Sequence, residues 1–204
     1  MMDKPGNGKT GNLNLINNPI LGKILFPGSE IQARISELGK IITTDYTGKD
    51  LLLVSVLRGS VIFLTDLMRQ IDLESSIDFI SISSYAASKN VHATGVVKIT
   101  KDLEDPIEGR DILIIEDIID SGLTISYLVR NLKSRNPNSL EVCTLLDRNV
   151  KRIAEVKIKY AGFTIGDEFV VGYGLDYKQN FRNLDSIYRL NTTVVKKDIA
   201  LMDT

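Results

Sequence analysis

Apolar residues recur along the chain in two rhythms. The unbroken run Ile112 to Ile115 and the mostly apolar stretches Leu51 to Leu57 and Leu140 to Leu146 suit strands buried on both faces, as in a parallel sheet held between helices. Ile77 to Ser83 alternates apolar and polar residues, Val96 to Ile99 reads as a strand returning alongside it, and Lys157 to Phe163 reads as a further strand. Helical spacing appears in three places: at Ile31, Ile35, Leu38 and Ile42, across Val61 to Met68, and at Ile125, Leu128, Val129 and Leu132. Ser29 followed by Gln32 predicts a capping box at the start of the first helix. Strands alternating with helices predict an α/β fold with a mainly parallel central sheet flanked by helices. The N-terminal helix and the region after about residue 150 are expected to form a small hood over it. Residues 1 to about 20 are too polar to bury and predict a flexible tail. That leaves 21–204 as a single domain.

Composition narrows the function classes. A chain of 204 residues with 43% hydrophobic content can bury about 70% of its unfolded surface in one core. A formal net charge of −1 provides no field to gather nucleic acid, which favours small ligands. Cys143 has no cysteine to pair with and lies in an apolar run, so it reads as core filler. A reducing cytoplasm and a soluble protein are expected, because no apolar run reaches membrane-spanning length and the start of the chain lacks a signal-peptide core.

The chemistry gathers where strands end. After Ile112 to Ile115 come Glu116, Asp117, Ile118, Ile119 and Asp120, then Ser121, Gly122, Leu123 and Thr124 at a helix start. Ligands of open α/β sheets bind beyond the carboxyl ends of the strands. Free N–H groups, two hydroxyls and a glycine make a pocket for a phosphate. Carboxylates would repel that phosphate, so Glu116 and Asp117 suit Mg²⁺ or ribose hydroxyls, and Asp120 suits a proton to be removed. The residues alone also allow Asp120 or Ser121 to be a simple helix N-cap. Arg58-Gly59-Ser60 forms a tight turn between strand and helix, a second anion site or merely a surface arginine beside a turn glycine. Tyr85 to Gly95 lacks periodicity and reads as a loop containing His92, with Lys98 and Lys101 near the site or simply solvated.

The string from Ile112 to Thr124 resembles the phosphoribosyl-pyrophosphate motif of the phosphoribosyltransferases, in particular the hypoxanthine-guanine branch. The resemblance runs from about Ile24 to Leu190 and implies a type I phosphoribosyltransferase-like fold. Leu57-Arg58-Gly59-Ser60 resembles the family's pyrophosphate loop, where a non-proline cis peptide turns N–H groups toward the leaving group. Ser84-Tyr85 matches the pair that opens the family's mobile active-site loop. Asp167 to Tyr177 is similar to the purine-binding segment, which implies that Phe169 stacks on the base, Val170 offers backbone groups to its edge, and Asp176 helps hold a second Mg²⁺. Arg182 matches an arginine that contacts pyrophosphate. Arg148 departs from the pattern, standing where the family usually has a lysine that donates to the purine O6, with Asp147 or water to take its remaining N–H groups.

The resemblance implies a Mg²⁺-dependent purine salvage transferase in which hypoxanthine or guanine and phosphoribosyl pyrophosphate give the nucleoside monophosphate and pyrophosphate. Asp120 would be the general base at N7. A dimer or tetramer is expected, with no nucleic-acid or membrane partner. A xanthine-preferring transferase and a regulatory RNA-binding protein that reuses the fold are the alternatives.

Overall fold

A computed structural model describes residues 15–85, 96–148, 150 and 152–194. Its centre is β5 (Asp111–Ile119), which pairs in parallel with β2 (Leu51–Leu57) on one side and with β6 (Ser139–Arg148) on the other. Beyond β2 lie β3 (Ser75–Tyr85) and then β4 (Val96–Lys101), which is antiparallel, and beyond β6 lies β7 (Tyr160–Ile165). The apolar runs account for this arrangement. Along β2 and β5, Leu51, Leu53, Leu113 and Ile115 face one apolar cluster, while Leu52, Val54, Ile112 and Ile114 face the other. The first cluster is closed by α1 (Gly28–Tyr46) and α2 (Val61–Met68), the second by α3 (Leu123–Lys133). Each fully buried leucine or isoleucine contributes on the order of 2 kcal/mol, so strands buried on both faces hold the sheet together.

Several expectations are corrected in position. β5 continues past its apolar run, with Glu116 opposite Thr144 and Ile119 opposite Asp147, because main-chain pairing persists whatever the side chains, while β6 ends at Asp147 and Arg148 as expected. Glu116, Asp117, Asp147 and Arg148 therefore lie in strand tips. The strand expected at Lys157 to Phe163 begins at Tyr160, since Val156 and Ile158 pack instead against the cluster under α3. No capping box forms: α1 begins at Gly28 with Pro27 as its cap, and Gln32 Nε2 donates to Asp66 Oδ2 on α2 at 2.6 Å. The Gln32 side chain has turned from the local backbone N–H to a charged acceptor on a neighbouring helix.

The hood also takes another form. It is an antiparallel sheet of order β1-β9-β8, formed by β1 (Leu21–Phe26), β9 (Ile187–Leu190) and β8 (Val170–Val171). The N-terminal helix, expected in the hood, instead buries Ile31, Ile35, Leu38 and Ile42 against the main sheet. Residues 15–20, expected to be tail, are tied down. Leu15 and Ile20 pack on the hood's core, and Asn191 N–H donates to Ile20 O at 2.8 Å. Among the described residues no helix is long and apolar enough to cross a membrane.

Candidate active site

The chain leaves β2 for β3 on one side, while β5 lies on its other side, so a crevice opens between the tips of β2 and β5. At the tip of β2 the Leu57–Arg58 peptide is cis, as the resemblance implied. Gly59 is required here, because a Cβ at that position would overlap Oδ2 of Asp117. Gly59→Ala is therefore expected to destabilise the fold by about 1–3 kcal/mol, read as an earlier urea midpoint; an unchanged midpoint would mean that Asp117 moves aside freely.

Asp117 is half-buried. Burial pushes its carboxyl up to about 6, against hydrogen bonding from Ile118 N–H (2.8 Å) and the Arg182 charge, with the Asp176 charge pushing the same way as burial. Glu116 is raised well above the usual carboxylate range, first by burial and then by Asp117. Strand alternation sends it to the opposite face, toward α3. The three acids expected around Mg²⁺ and the ribose are thus divided. Asp117 and Asp176 line a common cavity of about 290 Å³ with Ile118, Asp120, Arg148, Phe169, Val170 and Leu175, and Glu116 does not. Among the described residues no three acid, histidine or cysteine side chains are placed to hold a metal by themselves.

Asp120 follows β5, and Gly122, with φ 80°, caps α3 without any side-chain hydrogen bond. Neither Asp120 nor Ser121 is the N-cap. Ser121 Oγ is 3.5 Å from Leu123 N, while Ser121 O accepts from Ile153 N (2.8 Å) and Ala154 N (3.0 Å). A Cβ on Gly122 would meet Ala154 O at 2.5 Å and Arg152 Cδ at 2.9 Å. The segment after β6 thus props the turn at Ser121 to Thr124 from behind. Nothing in local sequence signals this contact.

Arg148 differs most from expectation. Its side chain is 8% exposed, and Nη1 donates to Asp120 Oδ2 at 3.1 Å, Asp120 being 47% exposed. Nη2 donates to Glu168 O, and Nε is buried without a partner. Asp147, expected to help satisfy Arg148, pairs with Arg152 instead. The guanidinium lies 5.8 Å from the ring of Phe169, which is 58% exposed. Leu190 N–H donates to Phe169 O (2.7 Å), which makes Val170 and Arg189 a non-hydrogen-bonded pair in the β8–β9 ladder. Val170 therefore directs its own N–H and C=O out of the free edge of the hood sheet.

On the other side, Arg182 pairs with Asp176 Oδ1 (2.6 Å) and donates to Gly174 O (2.7 Å). Gly174 has φ 95° and would overlap Gly59 O if it carried a Cβ, so the loops holding Arg58 and Arg182 are in contact. Ser84 and Tyr85 end β3, but their side chains, and the loop 86–95 with His92, lie outside the described residues. Lys101 is held by Phe79 O (3.0 Å) and Asp102 O (3.1 Å), so it belongs to the sheet edge. Cys143 is fully buried, and burial raises its thiol.

A family model described as a phosphoribosyl transferase domain matches residues 24–178. The hypoxanthine-guanine phosphoribosyltransferase of Mycobacterium avium is 50% identical over 180 residues, covering 85% of this chain and 88% of that protein. The hypoxanthine phosphoribosyltransferase of Escherichia coli (strain K12) is 47% identical over 167 residues, covering 81% and 93%. A crystal structure of a hypoxanthine phosphoribosyltransferase from Staphylococcus aureus superposes with a TM-score of 0.83 at 46% identity, covering 88% of this chain and 96% of that one.

Proposed function

The chain belongs to the phosphoribosyltransferase family, and from that premise we propose that it salvages purines, converting hypoxanthine or guanine and phosphoribosyl pyrophosphate to IMP or GMP and pyrophosphate. The observation that carries the choice of base is the Arg148–Asp120 pair. A cationic donor and an anionic acceptor sit 3.1 Å apart at the mouth of a cavity edged by an exposed aromatic ring. A 6-oxopurine with a proton on N7 presents the complement on one edge: O6 accepts and N7–H donates. Phe169 offers a stacking face, and the free C=O of Val170 suits the N1–H of the same base. The relatives are named for hypoxanthine and guanine, which leaves the xanthine and RNA-binding alternatives without support.

In the reaction so read, N9 of the base replaces pyrophosphate at the anomeric carbon through a cation-like transition state. Asp120 accepts the N7 proton as N9 becomes nucleophilic. Ser121, Gly122, Leu123 and Thr124 hold the 5′-phosphate with N–H groups and hydroxyls, and Ile118 and Ile119 carry the main chain into that turn. Glu116, which does not line that cavity, is assigned to the ribose hydroxyls from the α3 side. Arg58, Gly59 and Arg182 face the pyrophosphate, and Ser84 and Tyr85 belong to the loop above it. Mg²⁺ suits the donor set, since it commonly takes one or two carboxylates together with substrate phosphates. Asp117 and Asp176, facing one cavity, would hold it. When bound it would neutralise charge on the departing pyrophosphate.

One assay decides the reading: hypoxanthine, guanine, xanthine and adenine, each with phosphoribosyl pyrophosphate and Mg²⁺. Turnover of the first two with release of pyrophosphate is expected, and preference for xanthine or adenine would overturn it. Excess chelator is expected to abolish turnover and added Mg²⁺ to restore it, with the circular-dichroism spectrum unchanged throughout. Activity that persists in chelator would remove the metal from the account. Location in the cytoplasm is part of the same reading, supported by a lone, buried cysteine, as is a dimer or tetramer, which light scattering would measure.

A further inference from the structure

Between the two arginines assigned to pyrophosphate lies a residue with no part in the reaction as written. Gln179 is at the exposed tip of the loop from Asp176 to Arg182, and its backbone is left-handed, with φ 66°. A residue with a Cβ enters that region at a cost, so contacts must hold it there. Its N–H donates to Asp176 Oδ2 at 2.7 Å. Its side-chain Oε1 accepts from Arg58 Nη1 at 3.2 Å and from Arg182 Nη2 at 3.2 Å. One neutral oxygen thus ties together two cations from separate loops.

The two cations differ in what surrounds them. Arg182 has the Asp176 carboxylate and the Gly174 carbonyl. Arg58 is exposed, and among the described residues its guanidinium has the Gln179 oxygen and no carboxylate. Its charge is oriented without being cancelled. A carboxylate in the same place would orient it more firmly, but would neutralise the charge that an incoming anion needs. From this geometry we infer that Gln179 is a positioning residue, holding Arg58 and Arg182 as a preformed clamp for the pyrophosphate group, and that its neutrality is the property that matters. The inference rests on the phosphoribosyltransferase reading of the site. Its benefit is pre-organisation: long side chains already aligned lose less rotamer freedom when the anion arrives. Gln179 touches no reacting atom.

Backbone and side-chain roles separate cleanly at this position. Glycine adopts φ near 66° readily and keeps the N–H for Asp176, so Gln179→Gly removes only the acceptor. Gln179→Glu keeps an acceptor and adds a charge. Steady-state kinetics of the full chain, with hypoxanthine, phosphoribosyl pyrophosphate and Mg²⁺ and with pyrophosphate as product inhibitor, reads both. Gln179→Gly is expected to raise the KM for phosphoribosyl pyrophosphate and the inhibition constant of pyrophosphate about five-fold, the size typical of exposed contacts. Gln179→Glu is expected to raise both roughly ten-fold or more, with the KM for hypoxanthine within about two-fold and the melting temperature unchanged. A purely structural residue would give the opposite pattern for glycine, which would then behave as wild type. If both variants keep wild-type values for phosphoribosyl pyrophosphate and for pyrophosphate, the inference is overturned. If the wild type fails to turn over hypoxanthine, the reading of the reaction fails first. Calorimetry of inorganic pyrophosphate with Mg²⁺ still tests the clamp: weaker binding to Gln179→Glu than to wild type upholds it, and equal binding overturns it.

Discussion

Asp120→Asn is expected to lower kcat with hypoxanthine by about 10²–10⁴-fold while leaving product-nucleotide affinity nearly unchanged. The expectation follows from what Asp120 does and does not touch. It makes no cap bond to α3, whose cap is Gly122, so its replacement leaves the phosphate turn in place. Among the described residues its ion-pair partner is Arg148, and an asparagine oxygen still accepts from Nη1 at the 3.1 Å observed. What asparagine lacks is the capacity to take a proton from N7. The variant therefore separates binding from proton transfer, with binding read by calorimetry of IMP or GMP and transfer by turnover. Near-normal turnover would end the assignment of Asp120 as the base.

Arg148→Ala is expected to reduce kcat/KM for hypoxanthine by roughly 10²–10³-fold, in line with removal of one partner from a buried charged hydrogen bond. The larger diagnostic is the ratio to adenine. Adenine places an amino donor where O6 would be, so the Arg148 cation would face a donor on the base instead of an acceptor, and sites built to hydrogen-bond a substrate group reject the wrong one by roughly 10⁴-fold or more. With alanine at 148 that penalty disappears and the ratio should narrow. Arg148→Lys should retain use of 6-oxopurines, because an ammonium can still donate to O6, although it gives up the fork that now spans Asp120 Oδ2 and Glu168 O. An unchanged hypoxanthine-to-adenine ratio in Arg148→Ala would move O6 recognition to the free backbone of Val170.

The apolar runs made the main sheet legible, since a strand buried on both faces is apolar at most of its positions. The hood was not legible. β1 and β9 are short, half-polar strands whose pairing, with Leu21 opposite Leu190, joins the two ends of the described chain, and periodicity carries no information about such a partner. Candidate residues were found where motif and strand end coincide, as at Asp117, Asp120 and Arg148. Their partners were not. The acceptors for Arg148 include Glu168 O, 20 residues away in sequence, and Asp66 takes the side chain of Gln32 from 34 residues away. Side chains that choose tertiary partners over local ones leave no trace in local pattern. Gln179 escaped notice for the same reason: a glutamine in a polar loop has no signature until two arginines are seen to share it.

The free edge of β8 has a consequence for how base preference can drift. If the base is read by Val170 main-chain groups, substitution of the Val170 side chain cannot erase that part of the readout, short of proline. What can erase it is the alignment of β8 with β9, since a slip of one residue would turn the Val170 groups inward and present those of a neighbour. On its other edge β9 is anchored by β1, at Leu190 and Tyr188. On the reading proposed above, residues of β1 would act on purine preference through β9 alone, and a search for variants of altered selectivity has reason to begin there.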